Sequence, residues 1–392
     1  LANLQEGSMD PKDFQTSSAG KVIHNRKGFW TFIPNSLPPT IQWSPALISA
    51  VGDAERTLAK LDSLANTLPS PHILVRSYTR REAVLSSRIE GTRASLNDVY
   101  IYEATRLSYL EPTSDAREVH NYVKALEHGI ERLSSLPVSL RLIREIHAVL
   151  MESVRGEHLT PGEFRRSQNW IGAPGSTLES ARFVPPPVDE MHKALSDLEK
   201  YIHASSDLPP LVRAAMIHYQ FEAIHPFLDG NGRIGRLLIM LLLLEWRLLT
   251  QPWLYLSAFF ETHRAVYYDL LLAVSQRGEW ENWLSFFLEG IRDQSDDAIA
   301  RLKHLQSLRQ KYKSLLKNER AGERLMQVID VLFERPILSI RQLETTMDIP
   351  YRSAQRYIEK LEQLNILKEV TGQARNRLYQ SDEILSALER SI

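Results

Sequence analysis

Apolar positions recur every three to four residues along most of this chain, and that spacing predicts a mainly α protein. Helical periodicity covers residues 44–68, 72–90, 95–107, 114–133 and 140–154. Pro69 and Pro71 separate the first two segments, and Gly91 stops the second. It resumes over 188–204, 209–224, 262–276 and 279–293. Between 162 and 187 the pattern changes. Two short extended runs, Trp170-Ile171-Gly172 and Arg182-Phe183-Val184, flank Pro174-Gly175-Ser176, which predicts a β-hairpin over about 172–184. Residues 1–40, punctuated by Pro34, Pro38 and Pro39, read as irregular. Segment 296–318 reads as a long exposed helix, with a run rich in Arg and Lys from Arg301 to Arg320, and is expected to be a solvated linker rather than a face for an anionic partner. Three helical segments follow at 325–333, 340–347 and 350–364. Extended runs at 366–370 and 376–379 then flank Thr371-Gly372, which is the order of a winged helix.

Composition narrows the classes. A chain of 392 residues with 43% hydrophobic content can bury two or three cores. A net charge of −1 gives no global pull toward nucleic acid or membrane. The absence of cysteine removes disulfides, thiolate metal sites and a Cys nucleophile. With no secretion-type pattern at the start, the expected location is cytoplasmic. The apolar run 237–244 is too short to span a bilayer, so no membrane partner is expected.

The densest chemistry lies in His225-Pro226-Phe227-Leu228-Asp229-Gly230-Asn231-Gly232-Arg233-Ile234-Gly235-Arg236. Gly230 and Gly232 permit a tight backbone turn and close ligand approach. Exposed N–H groups at a helix start attract anions. Arg233 and Arg236, three residues apart, can each fork onto phosphate oxygens. Asp229 is an oxygen ligand of the kind Mg²⁺ uses beside phosphates. His225, at a break forced by Pro226, is a candidate base. Each residue alone has a duller reading: a capped histidine, a turn, solvated arginines. Another arrangement is His218, Glu222 and His225 at i, i+4 and i+7, which could mimic a metal triad.

The segment resembles the signature of Fic-domain proteins, His-Pro-Phe-x-x-Gly-Asn-Gly-Arg-x-x-Arg, and matches it at every fixed position. The resemblance extends over roughly residues 20–295. It implies a Fic-type helical core with a β-hairpin flap, followed by the small winged-helix domain. The division is then 1–110, an N-terminal helical region with an inhibitory helix; 111–295, the catalytic core; 296–320, the basic linker helix; and 321–392, the winged helix. The implied activity is transfer of AMP from ATP to a Ser, Thr or Tyr hydroxyl of a protein, with Mg²⁺. In it His225 is the base, Asp229 the Mg²⁺ ligand, and Gly230, Asn231, Gly232, Arg233 and Arg236 hold the phosphates. Lys stands at the Gly232 position in the Fic-like phosphotransferase branch, so Gly232 points to nucleotidyl transfer. The target would dock on the flap at 172–184, and self-modification is also implied.

Ser86-Ser87-Arg88-Ile89-Glu90-Gly91 resembles the family's inhibitory motif, Ser/Thr-x-x-x-Glu-Gly/Asn. Ser86 and Glu90 share a helical face. The implied role is a Glu90–Arg236 ion pair that blocks productive ATP binding. Other readings stay open: de-AMPylation using Glu90, or a nucleotide-sensing DNA-binding regulator. In the C-terminal unit Tyr351, Arg352, Ser353, Gln355 and Arg356, with Arg375 and Arg377 on the wing, could contact DNA. Glu359 and Glu362 on the same helix argue equally for protein contact or a homodimer.

Overall fold

The computed structural model describes residues 8–25, 28–67, 71–105, 115–154, 156, 158–172, 175–318, 322–373 and 375–389. The helix limits expected at Leu68, Leu107 and Ser114, the flap-turn residue Pro174 and the end of the basic run at Arg320 lie outside them. The architecture is mainly α, with a Fic-type helical core and a small winged-helix-like unit. Strands β1 (Gly20–His24) and β2 (Trp30–Pro34) precede the helices α1 (Pro45–Asn66), α2 (Pro71–Ile89), α3 (Leu96–Thr105), α4 (Asp115–Arg132) and α5 (Leu140–Leu150). Then come α6 (Val188–His203), α7 (Pro210–Ile224), α8 (Asn231–Glu245), α9 (Ser257–Thr262), α10 (Arg264–Arg277) and α11 (Trp280–Asn318). Local chemistry sets several starts. Ser44 caps α1 with Pro45 in the first turn, and Ser139 caps α5.

Helices α7 and α8 are buried on nearly every face, which places them at the centre of the core. The loop 225–230 joins them, so the signature segment sits on two immobilised rods. Helix α2 packs against α4 and α9 of the core, and its C-terminus approaches α8.

Two regions depart from the sequence reading. The stretch expected to be irregular contains the regular hairpin β1–β2, antiparallel with Val22 opposite Phe32. Phe32 is fully buried and its N–H donates to Val184 O at 2.9 Å, so tertiary contact fixes a hairpin that composition obscured. The flap segment is held by one antiparallel bridge, Ile171 to Phe183, with reciprocal hydrogen bonds of 2.8 and 3.1 Å. Its middle is closed by side chains instead: Trp170 Nε1–H donates to Ser176 O, and the Thr177 N–H donates to Ser180 Oγ.

The expected break before the basic segment is absent. No Gly or Pro interrupts 291–318, and α11 runs unbroken for 39 residues. It is also not a solvated linker. Leu302, Leu305, Leu308, Tyr312 and Leu316 are buried along one side. Four of its cations are paired within the chain: Arg309 and Lys313 with Asp330, Lys311 with Glu383, and Arg301 with Asp297.

The C-terminal unit comprises α12 (Glu323–Glu334), β3 (Ile337–Ser339), α13 (Ile340–Met347), α14 (Tyr351–Gln363), β4 (Lys368–Glu369), β5 (Leu378–Gln380) and α15 (Asp382–Glu389). Its sheet order β3-β5-β4 and the pair α13–α14 are winged-helix-like. A capping box between Ser339 and Gln342 starts α13. Among the described residues no helix is long and apolar enough to cross a membrane.

Arg301 ties the two parts together. Its side chain is fully buried, forks onto both Asp297 oxygens and donates to the carbonyls of Ala387 and Leu388 at the end of α15. Removing it leaves two carbonyls unmet and the half-buried Asp297 with only the longer contact to Arg81, at 3.7 Å. We expect Arg301→Ala to cost about 3–5 kcal/mol, and the shift of the urea midpoint measures it. A loss below ~1 kcal/mol would refute this role.

Candidate active site

Helix α7 ends where Pro226 cannot continue its hydrogen bonding. His225 therefore takes a left-handed conformation, φ 49°, ψ 63°. A non-glycine residue there carries roughly 1–3 kcal/mol of strain, and its neighbours hold it in place. The His225 carbonyl accepts from Arg165 Nε and Asn169 Nδ2, both at 3.0 Å. Arg165 N–H donates to Pro226 O at 2.9 Å, and Asn169 Nδ2 also reaches Phe227 O at 2.8 Å. Arg165 is fully buried with no carboxylate partner among the described residues; burial pushes its guanidinium down to about 10.

The His225 ring donates from Nδ1 to Glu222 O at 3.3 Å, because a carbonyl can only accept. The lone pair is therefore on Nε2. Burial holds the imidazole down to about 4, with the Arg165 charge acting in the same direction against smaller raising contributions, so the ring is neutral at physiological pH. The side chain lines a pocket of about 940 Å³ with Glu90, Gly232, Arg236, Tyr267 and Tyr268. Flap residues Ile171 and Phe183 form part of its rim.

The loop is rigid for reasons that sequence spacing does not reveal. His147 stacks on Phe227, ring centres 3.7 Å apart and nearly parallel. Its Nδ1 accepts from the Gly162 N–H, so Nε2–H donates to Asp229 O at 3.0 Å. Asn231 binds the Phe227 backbone twice, Oδ1 to N–H and Nδ2 to O, each at 2.8 Å. Its side chain is thus held on the loop, which leaves its backbone N–H facing outward at the start of α8. Gly230, at φ 81°, precedes α8 and provides no side-chain cap. The first-turn N–H groups, including that of Gly232, have no partner within the helix and form an anion site.

Arg233 and Arg236 are both buried, against the solvated reading, and face different walls. Arg233 Nη2 lies 3.5 Å from Asp229 Oδ1, and Nη1 lies 3.5 Å from Glu118. Its Nε and Nη1 have no hydrogen-bond acceptor among the described residues. Buried guanidinium nitrogens in that state match a site built for phosphate oxygens. Arg236 donates from Nε to Ser86 Oγ and from Nη2 to Ser86 O, each at 2.9 Å, and from Nη2 to Glu90 Oε1 at 2.7 Å. Burial alone would lower the Arg236 guanidinium, but Glu90 holds it well above its ordinary value. Burial would raise the Glu90 carboxyl; the Arg236 charge and hydrogen bond outweigh it and keep the acid below its ordinary value.

Glu90 also lies against Gly232, where a Cβ would collide with Glu90 Oε1. Its carboxylate thus sits at the uncapped start of α8. Asp229 is half-exposed, accepts from the Gly230 N–H at 2.6 Å, and is a fitting single carboxylate for Mg²⁺ beside phosphates.

The metal-triad alternative fails. Both nitrogens of His218 are engaged, Nδ1 with Gly235 O and Nε2 with Tyr267 OH, and no group of three metal-binding side chains occurs among the described residues. Glu222 is instead a half-buried acid pushed up to about 8 by desolvation, set where a Gly235 Cβ would stand. Sequence reasoning missed Arg165, Asn169 and His147 as supports, since all three act over long sequence separations. The run Pro161-Gly162-Glu163-Phe164-Arg165 was their one local signal.

Comparison with known proteins agrees with this geometry. Family models described as the Fic/DOC family N-terminal region and the Fic/DOC family match residues 48–131 and 137–243. The protein adenylyltransferase Fic of Drosophila persimilis is 27% identical over 250 residues, covering 60% of this chain and 43% of that protein. Its counterpart in Drosophila willistoni is also 27% identical, over 60% of this chain and 44% of that protein. The chain thus spans less than half the length of these curated relatives. The crystal structure of a Fic family protein from Desulfovibrio desulfuricans G20 superposes with a TM-score of 0.57 at 20% identity, over 88% of this chain and 98% of that one. Fic-1 (residues 134–508) from C. elegans gives 0.50 at 20% identity, over 66% and 74%; at such identities the likeness speaks for the fold alone. This chain contains a Fic/DOC-family domain, N-terminal region and core together, and members of that family generally transfer nucleotides.

Proposed function

We propose that this protein is an autoinhibited adenylyltransferase that moves AMP from ATP to a protein hydroxyl. One observation carries the reading. The helix start built to hold an anion is occupied by the protein's own Glu90 carboxylate, in the pocket that His225 lines. A site that must be blocked by an internal acid is a site for an anionic substrate.

In the reaction a target Ser, Thr or Tyr oxygen attacks the α-phosphorus of ATP. The bond from that phosphorus to the bridging oxygen breaks, and pyrophosphate leaves. The hydroxyl proton passes to His225 Nε2, the nitrogen left free by the Nδ1–Glu222 contact. Arg233 and the first N–H groups of α8 receive the β-phosphate side, and Arg236, once released from Glu90, takes the γ-phosphate. Mg²⁺ at Asp229 would neutralise charge on the α- and β-phosphates. The target presents its hydroxyl beside the flap at 172–184, pairing with the edge near Ile171. Arg165 and Asn169 position His225 through its carbonyl and touch no substrate.

Glu90→Gly frees Arg236 and the start of α8. Self-modification under Mg·ATP, followed by intact mass, is expected to rise at least roughly tenfold, the factor that ~1.4 kcal/mol implies. Equal labelling of variant and wild type contradicts the brake. In the Glu90→Gly background, His225→Ala is expected to lower the rate by about 10²–10⁴; an unchanged rate removes His225 as the base.

The pH profile follows from the shift at His225. Burial disfavours the imidazolium, so Nε2 stays basic well below the ordinary histidine value of about 6.5. Removing Glu90 takes away a charge that raised it. The acid limb of kcat/KM in the Glu90→Gly variant therefore falls below pH 6. A limb at or above 6.5 contradicts this assignment.

A further inference from the structure

Helix α2 is held at both ends by different partners. Its C-terminus clamps Arg236, while its N-terminal half lies against the winged-helix unit. Ser77 Oγ donates to Phe333 O at 2.6 Å and Arg76 pairs with Glu334 at 3.1 Å. Beside this contact a cleft of about 1680 Å³ opens between α2, α3 and α4 on one side and α13, α14 and the wing on the other.

The charge inside the cleft is unbalanced. Its lining carries seven arginines and lysines against four glutamates, in a chain whose net charge is −1. The acids nearest Arg335 are already committed. Glu103 accepts from Arg80 Nε with both oxygens, at 2.9 and 3.0 Å, and lies 3.4 Å from His120. Glu334 is taken by Arg76. The Arg335 backbone N–H closes α12 on Val331 O at 2.8 Å, but its half-buried guanidinium has no hydrogen bond or ion pair among the described residues. Burial lowers its guanidinium, and Arg80 and Arg76 push the same way against Glu103 and Glu334. The fully buried guanidinium side chains of this fold are met from within, Arg301 and Arg236 by acids and Arg165 by three carbonyls. A half-buried guanidinium without an acceptor, among like charges and facing a cavity, calls for an anion.

We infer that the cleft is a second ligand site, for a small molecule bearing phosphate groups, with Arg335 and Arg341 as its phosphate contacts. The two flank β3 and both line the cleft. Glu359 and Glu362 on the α14 wall repel a continuous phosphate backbone, so the ligand is compact and not a nucleic-acid duplex. Tyr351 and Gln355, on the same wall, suit an uncharged aromatic or polar body. The site does not depend on the reading of the catalytic pocket, although it adjoins the helix that carries Glu90.

Tripolyphosphate without Mg²⁺, titrated calorimetrically into the full chain, tests it. Binding is expected to weaken at least tenfold in Arg335→Gln and in Arg341→Gln, and to survive Arg233→Gln, which disables the other phosphate cradle. Arg341 is exposed, so its variant keeps the test sound if Arg335→Gln fails to fold. No binding to wild type overturns the inference. So does binding lost in Arg233→Gln but kept in the other two, or tighter binding to duplex DNA than to tripolyphosphate.

Discussion

The resting state of this protein turns on one buried guanidinium. Arg236 satisfies the C-terminus of α2 through Ser86 O, fixes the Ser86 hydroxyl and pairs with Glu90. Glu90 lies just past the end of α2, where the helix dipole disfavours a negative charge. The cation opposite removes that penalty. The same contact lays the carboxylate over Gly232, at the positive end of α8. Two helix termini of opposite sign are thereby closed against each other by one Arg–Glu pair. Under the proposed function a triphosphate would offer the same charges and would have to compete with this intramolecular partner.

Rigidity around this clamp comes from apolar packing and committed polar groups. Helices α7 and α8 are buried on almost all sides, so their connecting loop has little freedom. Asn231, His147, Arg165 and Asn169 spend their hydrogen bonds on loop backbone atoms. His225 is held strained, in one tautomer, before any substrate arrives. Such preorganisation is what a reaction limited by positioning and charge requires.

Much of this was legible in the chain, and the exceptions have physical reasons. Periodicity gave most helices of the core to within a few residues, because their apolar faces follow the core. The signature residues were readable because glycine, proline and paired arginines have few roles in that order. The hairpin Gly20–Pro34 was not, since so short an alternation is a weak signal until Phe32 has a core to enter. The basic run on α11 misled in another way. Arg309, Lys311 and Lys313 looked solvated because their partners, Asp330 and Glu383, lie distant in sequence. Arg165 and Asn169 were equally hidden, since their role exists only once His225 adopts its left-handed turn.

The central claim is that the pocket directs attack at the α-phosphorus with the terminal phosphates bound away from the target. Parallel incubations of the Glu90→Gly protein with ATP labelled at the α- or at the γ-phosphate test this directly. The account predicts that the α label becomes covalently attached to protein and the γ label does not. Attachment of the γ label, or of neither, would contradict it.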